Sequence, residues 1–166
     1  MELLPFLILP LLLVVAAWSD ITTMTIPNWI SGILLVSYFI LAPIFGLSWA
    51  DIGWASLNAF AVLLIGMFLF AMKWLGGGDA KLLTATALWF GFPAAWTYIV
   101  VVMAFGGGVA FGLIMFRKLA LPSPVQGVEW VQKLHAPDGD LPYGTAIAIA
   151  GLVLLSEVPM MAGVFG

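Results

Sequence analysis

The sequence predicts an all-α, polytopic membrane helix bundle with about six transmembrane helices. Its 166 residues are 64% hydrophobic and only 8% charged, with a mean hydropathy of +1.18. A soluble domain carries roughly 25% charged residues, so this chain has too few charges to cover a water-facing surface. A crossing helix needs about 20 apolar residues, which allows about six crossings in this length. We therefore expect a single transmembrane domain over residues 1–166.

Six apolar runs separated by polar residues are the predicted helices, and they cover residues 3–18, 29–47, 54–75, 80–90, 95–116 and 143–158. The first run follows Glu2 instead of the basic residues of a signal peptide, so we expect a retained span. The second begins after Pro27 and Asn28, which suit a helix start. The third is an unbroken run long enough to cross. The fourth is the shortest, because it lies between the glycines at 76–78 and Pro93.

The fifth run is again long enough to cross, and it contains a Gly-x-x-x-Gly pair at Gly108 and Gly112. Such pairs let helices approach closely, so we expect close helix packing there. The longest polar stretch, 117–142, separates the fifth and sixth runs and is predicted to be a loop. Within it, residues 125–134 mix apolar and polar side chains, which suits a segment lying at the membrane surface.

The basic residues indicate how the chain is oriented. With six spans, all of them fall in or beside loops on one side: Lys73, Lys81, Arg117, Lys118 and Lys133. Cytoplasmic loops carry an excess of Lys and Arg, so this side is predicted to face the cytoplasm. The net charge of −3 and the scattered basic residues make nucleic acid an unsuitable partner.

Two aspartates at run boundaries are the candidate functional residues. Asp20 follows the first run, and Asp79 precedes the fourth. A carboxylate beside a membrane span is costly, so each is a functional candidate. An even number of crossings separates them, which predicts that both lie at the cytoplasmic face. They can therefore meet in space although 59 positions separate them in sequence.

Each aspartate also has a purely structural interpretation. Asp20 can end the first helix, and Asp79 can be the N-cap of the fourth. The glycines at 76–78 form a loop in that interpretation, or they let an extended substrate approach the backbone. Local sequence leaves these alternatives open. Lys81 either favours an ionised Asp79 or marks the inner surface, and we favour the surface position.

The pair suggests a specific chemistry. Two neighbouring carboxylates cannot both ionise cheaply, so one pKa rises and the pair shares a proton. The ionised member can draw a proton from water, while the protonated member donates to a peptide carbonyl. This hydrolysis needs no metal, no cofactor and no thiol, and the chain has no cysteine.

Three stretches resemble the type IV prepilin peptidase family, in its small form associated with tight-adherence (Flp) pili. Residues 20–28 are similar to the family's Asp-x-x-x-x-x-Ile-Pro-Asn segment. Residues 76–82 match Gly-x-Gly-Asp-x-Lys-Leu, and 141–148 resemble the Pro-Tyr-Gly-x-Ala segment that opens the last span. The resemblance implies that Asp20 and Asp79 are the catalytic aspartates. The supporting or substrate-binding residues in these stretches are Pro27, Asn28, Gly76, Gly78, Lys81, Pro142, Tyr143 and Gly144.

The resemblance further implies an intramembrane aspartyl endopeptidase of the bacterial inner membrane. It would remove the short basic leader of a prepilin on the cytoplasmic side, just after the glycine that ends the leader. The cysteine-containing zinc insert of larger relatives is missing, so we expect protease activity without N-methylation. The predicted partners are the prepilin and the lipid bilayer; a homo-oligomer or a complex with the pilus assembly machinery stays open. The alternatives are an archaeal-type preflagellin peptidase and a non-catalytic scaffold or transporter.

Three loop residues carry weaker expectations. His135 is the chain's one histidine, and a lone loop histidine is usually solvated. Asp138 and Asp140 are expected to be solvated too, in a position where they could attract a basic leader.

Overall fold

A computed structural model describes residues 4–137 and 139–161 of the chain, with side chains from residue 7 onward. Glu2 and Asp138 lie outside the described residues. The described chain forms seven α-helices: α1 Leu4–Thr23, α2 Asn28–Ile44, α3 Trp49–Ala71, α4 Gly77–Phe90, α5 Ala94–Arg117, α6 Glu129–His135 and α7 Tyr143–Val153. Short 3₁₀ turns occur at Ser123–Val125, Leu155–Glu157 and Pro159–Met161. This part of the chain contains no strand, which confirms the all-α prediction.

Each of the six predicted runs corresponds to a helix, but the number of membrane spans is not settled by helix length. Two helices are both long and apolar enough to cross a membrane, namely α3 and α5. Three other apolar helices are shorter: Leu7–Thr23 within α1, α2 and α7. Six spans therefore stays a prediction.

The short helix α4 lies at the centre of the bundle. It packs against α2, α3, α5 and α7. Every residue from Ala85 to Phe90 is buried, which requires neighbours on all sides of the helix. The helix ends at Gly91, whose φ of 64° lies in the left-handed region that glycine tolerates best. The run that was shortest in sequence is thus the core helix.

Small residues and buried aromatic side chains hold the neighbouring helices against this core. A Cβ on Gly66 of α3 would lie 3.1 Å from the Cβ of Ala80 in α4, so the two helices approach closely there. The indole of Trp89 donates a 2.9 Å hydrogen bond to the carbonyl of Leu34 in α2. A buried tryptophan usually needs such a partner, and here the bond ties α4 to α2.

Polar side chains move two helix ends away from their predicted positions. The hydroxyl of Thr22 bonds the carbonyl of Trp18, and the hydroxyl of Thr23 bonds the carbonyl of Ser19, each at 2.7 Å. Both hydroxyls thus bond carbonyls of the preceding turn, as polar side chains inside a helix can, and α1 continues to Thr23 instead of ending at residue 18. Asp20 consequently lies inside the last turn of α1, not after it. At the other end of the site, α4 already begins at Gly77.

The predicted packing of the Gly-x-x-x-Gly pair was wrong within the described chain. No described atom outside the local backbone lies within 4 Å of a Cβ placed on Gly108 or Gly112. The glycine of α5 that does pack closely is Gly106, where a Cβ would lie 2.7 Å from the ring of Tyr143 in α7.

The long polar stretch, which was predicted to be a loop with a surface segment, contains a short helix. The helix α6 covers Glu129–His135, whereas the surface segment was predicted at 125–134. Val131 and Leu134 are buried and Trp130 is exposed. The helix contacts α1 and α5, so this segment packs on the bundle.

Candidate active site

The C-terminal end of α1 and the N-terminal ends of α4 and α7 meet at one cavity of about 1070 Å³. Asp20 and Asp79 both line it, so the structure brings the two predicted aspartates together. The end of α3 and the turn after it form another wall, made by Phe70, Ala71, Lys73, Trp74 and Leu75. Residues 139–141 line the cavity as well.

Asp20 is held by the first turn of α7. Its carboxylate is buried, with 5% of the residue exposed. The Oδ2 atom accepts a hydrogen bond from the backbone N–H of Thr145 at 2.8 Å and another from the Thr145 hydroxyl at 3.3 Å. The Asp20 side chain is thus more than a helix terminus, because it links α1 to α7.

Asp79 is the third residue of α4, and its side chain points back to the start of that helix. Its Oδ2 accepts a hydrogen bond from the backbone N–H of Gly76 at 3.2 Å. Gly76, and not Asp79, is the N-cap, so the N-cap interpretation was wrong in its position. A Cβ on Gly76 would lie 2.6 Å from the same carboxylate oxygen, which explains why glycine stands there.

The environment of the pair favours protonation. Asp20 lies in the last turn of α1 and Asp79 in the first turn of α4, so both are at helix ends beside the cavity. Burial raises the pKa of Asp20, while hydrogen bonds from Thr145 and Gly144 oppose the rise. Burial first, and then the negative charge of Asp20, raise the pKa of Asp79 to about 7. The charge of Asp20 acts on Asp79, so the two carboxylates are near neighbours in the cavity.

Ile26 packs between the two glycine-containing helix starts. A Cβ on Gly78 would lie 3.2 Å from the Cβ of Ile26. A Cβ on Gly144 would collide with the Ile26 side chain and would lie 3.0 Å from Oδ2 of Asp20. These two glycines therefore allow α4, α7 and the turn after α1 to converge on the site.

The other residues that the resemblance implied occupy supporting positions. Pro27 is the N-cap of α2, and Pro142 is the N-cap of α7. The ammonium of Lys81 is exposed and donates a 2.9 Å hydrogen bond to Oδ1 of Asn28. Tyr143 and Asn28 line the cavity, whereas Pro27, Lys81 and Pro142 do not. The surface position favoured for Lys81 agrees with this contact.

The loop residues differ from expectation in one case. His135 is only partly exposed, and its Nε2 lies 2.8 Å from the carbonyl of Leu119, so it is not simply solvated. Asp140 is exposed and lines the cavity. Among residues 4–137 and 139–161, no group of three or more His, Cys, Asp or Glu side chains is arranged to hold a metal ion.

Thr145 and Ile26 are the site residues that sequence reasoning missed. Both lie within the stretches that carried the resemblance, yet neither was singled out. A signal existed for Thr145, because it is a polar residue at the start of an otherwise apolar helix. Phe70 and Trp74 also line the cavity, but nothing in the sequence indicated it. Apolar residues at the end of a predicted span look like any other lipid-facing residues.

One comparison with known proteins gives a match. A family model described as the type IV leader peptidase family matches residues 7–115, which contain both aspartates and the glycines before Asp79. No curated protein and no solved structure matches the chain.

Proposed function

The chain belongs to the type IV leader peptidase family, and from this premise we propose that it is an aspartyl endopeptidase whose catalytic residues are Asp20 and Asp79. Its substrate would be a type IV prepilin of the Flp class, from which it removes the short basic leader. The proposed location is the bacterial inner membrane, with the site on the cytoplasmic side and one peptidase domain over residues 1–166.

One observation supports the proposal most strongly: two carboxylates from distant helices line the same cavity. Asp20 comes from α1 and Asp79 from α4, and they are near enough for the charge of Asp20 to raise the pKa of Asp79. Helix capping would explain the bond from Gly76 to Asp79. It would not explain why a second buried carboxylate is directed to the same place, since two such charges repel.

The geometry suits general acid–base hydrolysis. The pair would hold one proton near neutral pH, because the pKa of Asp79 is raised to about 7. The ionised carboxylate removes a proton from a water molecule while the water oxygen bonds to the peptide carbonyl carbon. The protonated carboxyl donates its proton to the carbonyl oxygen. The tetrahedral diol then collapses: the carboxyl that took the water proton gives it to the leaving nitrogen, the other carboxylate takes a proton back from a diol hydroxyl, and the C–N bond breaks. The Thr145 hydrogen bonds identify Asp20 as the member better suited to start ionised.

The remaining implied residues would shape the site without touching the reacting atoms. Gly76, Gly78 and Gly144 would give the space in which the carboxylates and Ile26 converge. Asn28 and Lys81 would hold the start of α2 against α4. These roles follow from their contacts.

Substitution of each aspartate tests the proposal. Asp20→Asn and Asp79→Asn are each co-expressed with a candidate prepilin, and leader removal is followed by gel mobility and by N-terminal sequencing of the product. Each variant should lose cleavage by at least about a thousandfold, because the neutral amide can neither accept nor release the required proton. Asp51→Asn is the matched control, since Asp51 takes part in a capping box at the other end of α3.

The outcome separates an enzyme from a scaffold. A peptidase requires both aspartate variants to be inactive while they still insert into membranes and the Asp51→Asn protein still cleaves. Normal leader removal by either aspartate variant would contradict the proposal. Loss of pilus assembly without any cleavage defect would favour the non-catalytic alternative.

A further inference from the structure

A single guanidinium group holds the segment that follows α6. The Nε of Arg117 donates to the carbonyl of Leu134 at 2.9 Å, and Nη2 donates to the carbonyls of Gly139 at 2.9 Å and Asp140 at 3.2 Å. Nη1 lies 3.5 Å from the carbonyl of Pro137. Arginine presents its donors as a rigid planar fork, and hydrogen bonds from a charged group are stronger than neutral ones. Arg117 therefore fixes the backbone of 134–137 and 139–141, which we call the arginine-held segment.

The fit around the guanidinium is tight. A Cβ on Gly139 would lie 2.7 Å from the carbonyl oxygen of Lys133 and 3.1 Å from Nη2 of Arg117. Leu134 is buried, so the segment is anchored in the protein at its first residue. The contact of His135 with the Leu119 carbonyl adds a second link between α6 and the end of α5.

The arginine-held segment is also a wall of the candidate active site. Gly139, Asp140 and Leu141 line the cavity that contains the two aspartates. Another wall, after α3, contributes Lys73 as the one basic lining residue in the described chain. Asp140 therefore adds a carboxylate to a cavity that already contains two. Three acidic lining residues against one basic residue suit a cationic ligand.

We propose that Arg117 is a positioning residue and that Asp140, on the segment it holds, binds basic residues of the substrate leader. This inference rests on the proposed peptidase function. Arg117 does not line the cavity, so it acts through the position of the backbone that carries Asp140. The catalytic aspartates are on α1 and α4, so loss of the wall should weaken substrate binding more than the chemical step.

Kinetics with purified full-length protein test the positioning role. Arg117→Met should raise KM about two- to fivefold, the effect of losing the Asp140 ion pair through which it acts, with kcat changed less than about twofold because the aspartates stay in place. Arg117→Lys, which keeps the charge but lacks the fork, should raise KM by a smaller factor. The matched control is Lys118→Ala, the neighbouring basic residue, which is exposed and should behave as the parent protein. Equal kinetics for Arg117→Met and Lys118→Ala, or a loss confined to kcat, would overturn the role of Arg117.

Substrate charge tests the role of Asp140. For a prepilin peptide with a basic leader, Asp140→Asn should raise KM about two- to fivefold, the range of an exposed ion pair. For the same peptide with its leader Lys and Arg replaced by Gln, Asp140→Asn should leave KM unchanged. A purely structural effect would raise KM equally for both peptides, and that result would overturn the binding role.

A distance measurement keeps this inference separable from the proposed function. Since the chain has no cysteine, spin labels can be attached at Trp74→Cys and Asp140→Cys, on two walls of the cavity. Their distance distribution should be narrow with Arg117 present and broad with Arg117→Met. An unchanged distribution would overturn the positioning of the wall whether or not the protein cleaves a prepilin. The distribution could broaden in Arg117→Met as expected while the parent protein cleaves no prepilin. That result would count against the peptidase function alone.

Discussion

At the scale of single residues, the interaction between Thr145 and Asp20 decides which carboxylate of the pair carries the charge. Asp20 is the more buried aspartate, and burial alone would favour its neutral form. The Thr145 N–H and hydroxyl both donate to one oxygen of Asp20, and such bonds stabilise the ionised form. Asp79 receives one backbone bond, from Gly76, and also experiences the charge of Asp20. The two carboxyls are therefore chemically distinct.

Removal of the Thr145 hydroxyl should shift the acid limb of the pH–rate profile. In Thr145→Ala the backbone N–H remains, but Asp20 loses one donor and its pKa rises further. The ionised fraction of Asp20 then falls at a given acidic pH. The acid limb of the kcat/KM profile should therefore move to higher pH by about half to one pH unit. Thr145→Ser keeps the hydroxyl and should restore the parent profile. A fall in rate without any displacement of the limb would show that Thr145 does not tune Asp20.

Asp79 should make the stability of the folded protein depend on pH. Its folded-state pKa of about 7 lies above the unfolded value of about 3.9, so the folded state keeps a proton that the unfolded state has lost. The stabilisation is fully present below the unfolded pKa and is lost as pH rises through 7. The Tm of the parent protein should therefore fall more between pH 5 and pH 8 than the Tm of Asp79→Asn does. Thermal unfolding in detergent at both pH values checks this, and a pH-independent difference between the proteins would contradict it.

At the scale of helices, the site is positioned where helices pack closely against one another at their starts and at their crossings. Gly106 on α5 leaves room for the ring of Tyr143, the first residue of α7. Because α7 also carries the Thr145 donors to Asp20, the fit of α5 against α7 bears directly on the aspartate pair. The glycines nearer the end of α5 have no such contact in the described chain.

A methyl group at Gly106 should disturb this fit. In Gly106→Ala the new Cβ would lie 2.7 Å from the Tyr143 ring, so the ring or a helix must move. Overpacking of this kind costs about 1–3 kcal/mol in the free energy of unfolding. Tm should fall by several degrees, and leader cleavage should fall with it. Gly108→Ala is the matched control on the same helix and should not lower Tm, since its Cβ would meet no described atom within 4 Å.

Much of this architecture was predictable from sequence because apolar runs and turn residues report local structure directly. All six runs became helices, and the parity of the crossings anticipated that Asp20 and Asp79 would line one cavity. Helix ends were less predictable. The extension of α1 to Thr23 depends on side-chain bonds to carbonyls one turn earlier, which composition alone does not reveal.

Apart from the meeting of Asp20 and Asp79, contacts between segments that are distant in sequence were not predictable. Thr145 lies 125 positions from Asp20, and the packing of Tyr143 on Gly106 depends on how two helices cross. Arg117 was read only as a marker of the cytoplasmic side, because nothing in its local sequence indicates that it would bind four carbonyls. Glycine spacing was misleading for the same reason, since Gly108 and Gly112 form a packing motif without a packed neighbour in the described chain.

At the scale of the whole molecule, the surface is organised for a lipid environment. Exposed apolar side chains follow the outer faces of α2, α3 and α5, including Ile33, Val36, Ile40, Leu57, Phe60, Leu64, Phe68, Val100, Met103, Phe111 and Ile114. An apolar surface of this extent needs lipid or protein to cover it. Family membership and the two long apolar helices agree with a membrane protein.

Exposed tryptophans lie at both ends of the bundle. Trp18, Trp29 and Trp74 lie at the end that contains the aspartates, and Trp49 and Trp54 lie at the other. Tryptophan is enriched where a membrane meets water. The helix α3 rises about 33 Å over its 23 residues, close to the thickness of the hydrocarbon core. This arrangement predicts that the cavity lies at one membrane–water boundary, where water would reach the aspartates.

Cysteine labelling should determine the orientation and show that α5 crosses the membrane. Because the chain has no native cysteine, single cysteines can be introduced at exposed positions on either side of α5, namely Phe92 and Lys118, and at Trp74 near the aspartates. In cells with a permeable outer membrane, an impermeant maleimide should label Phe92→Cys. It should label Lys118→Cys and Trp74→Cys only after the inner membrane is opened, since basic loops face the cytoplasm. The parent protein, unlabelled throughout, is the control. Labelling of Phe92→Cys and Lys118→Cys from the same side would mean that α5 does not cross, and labelling of Trp74→Cys from outside would reverse the predicted position of the active site.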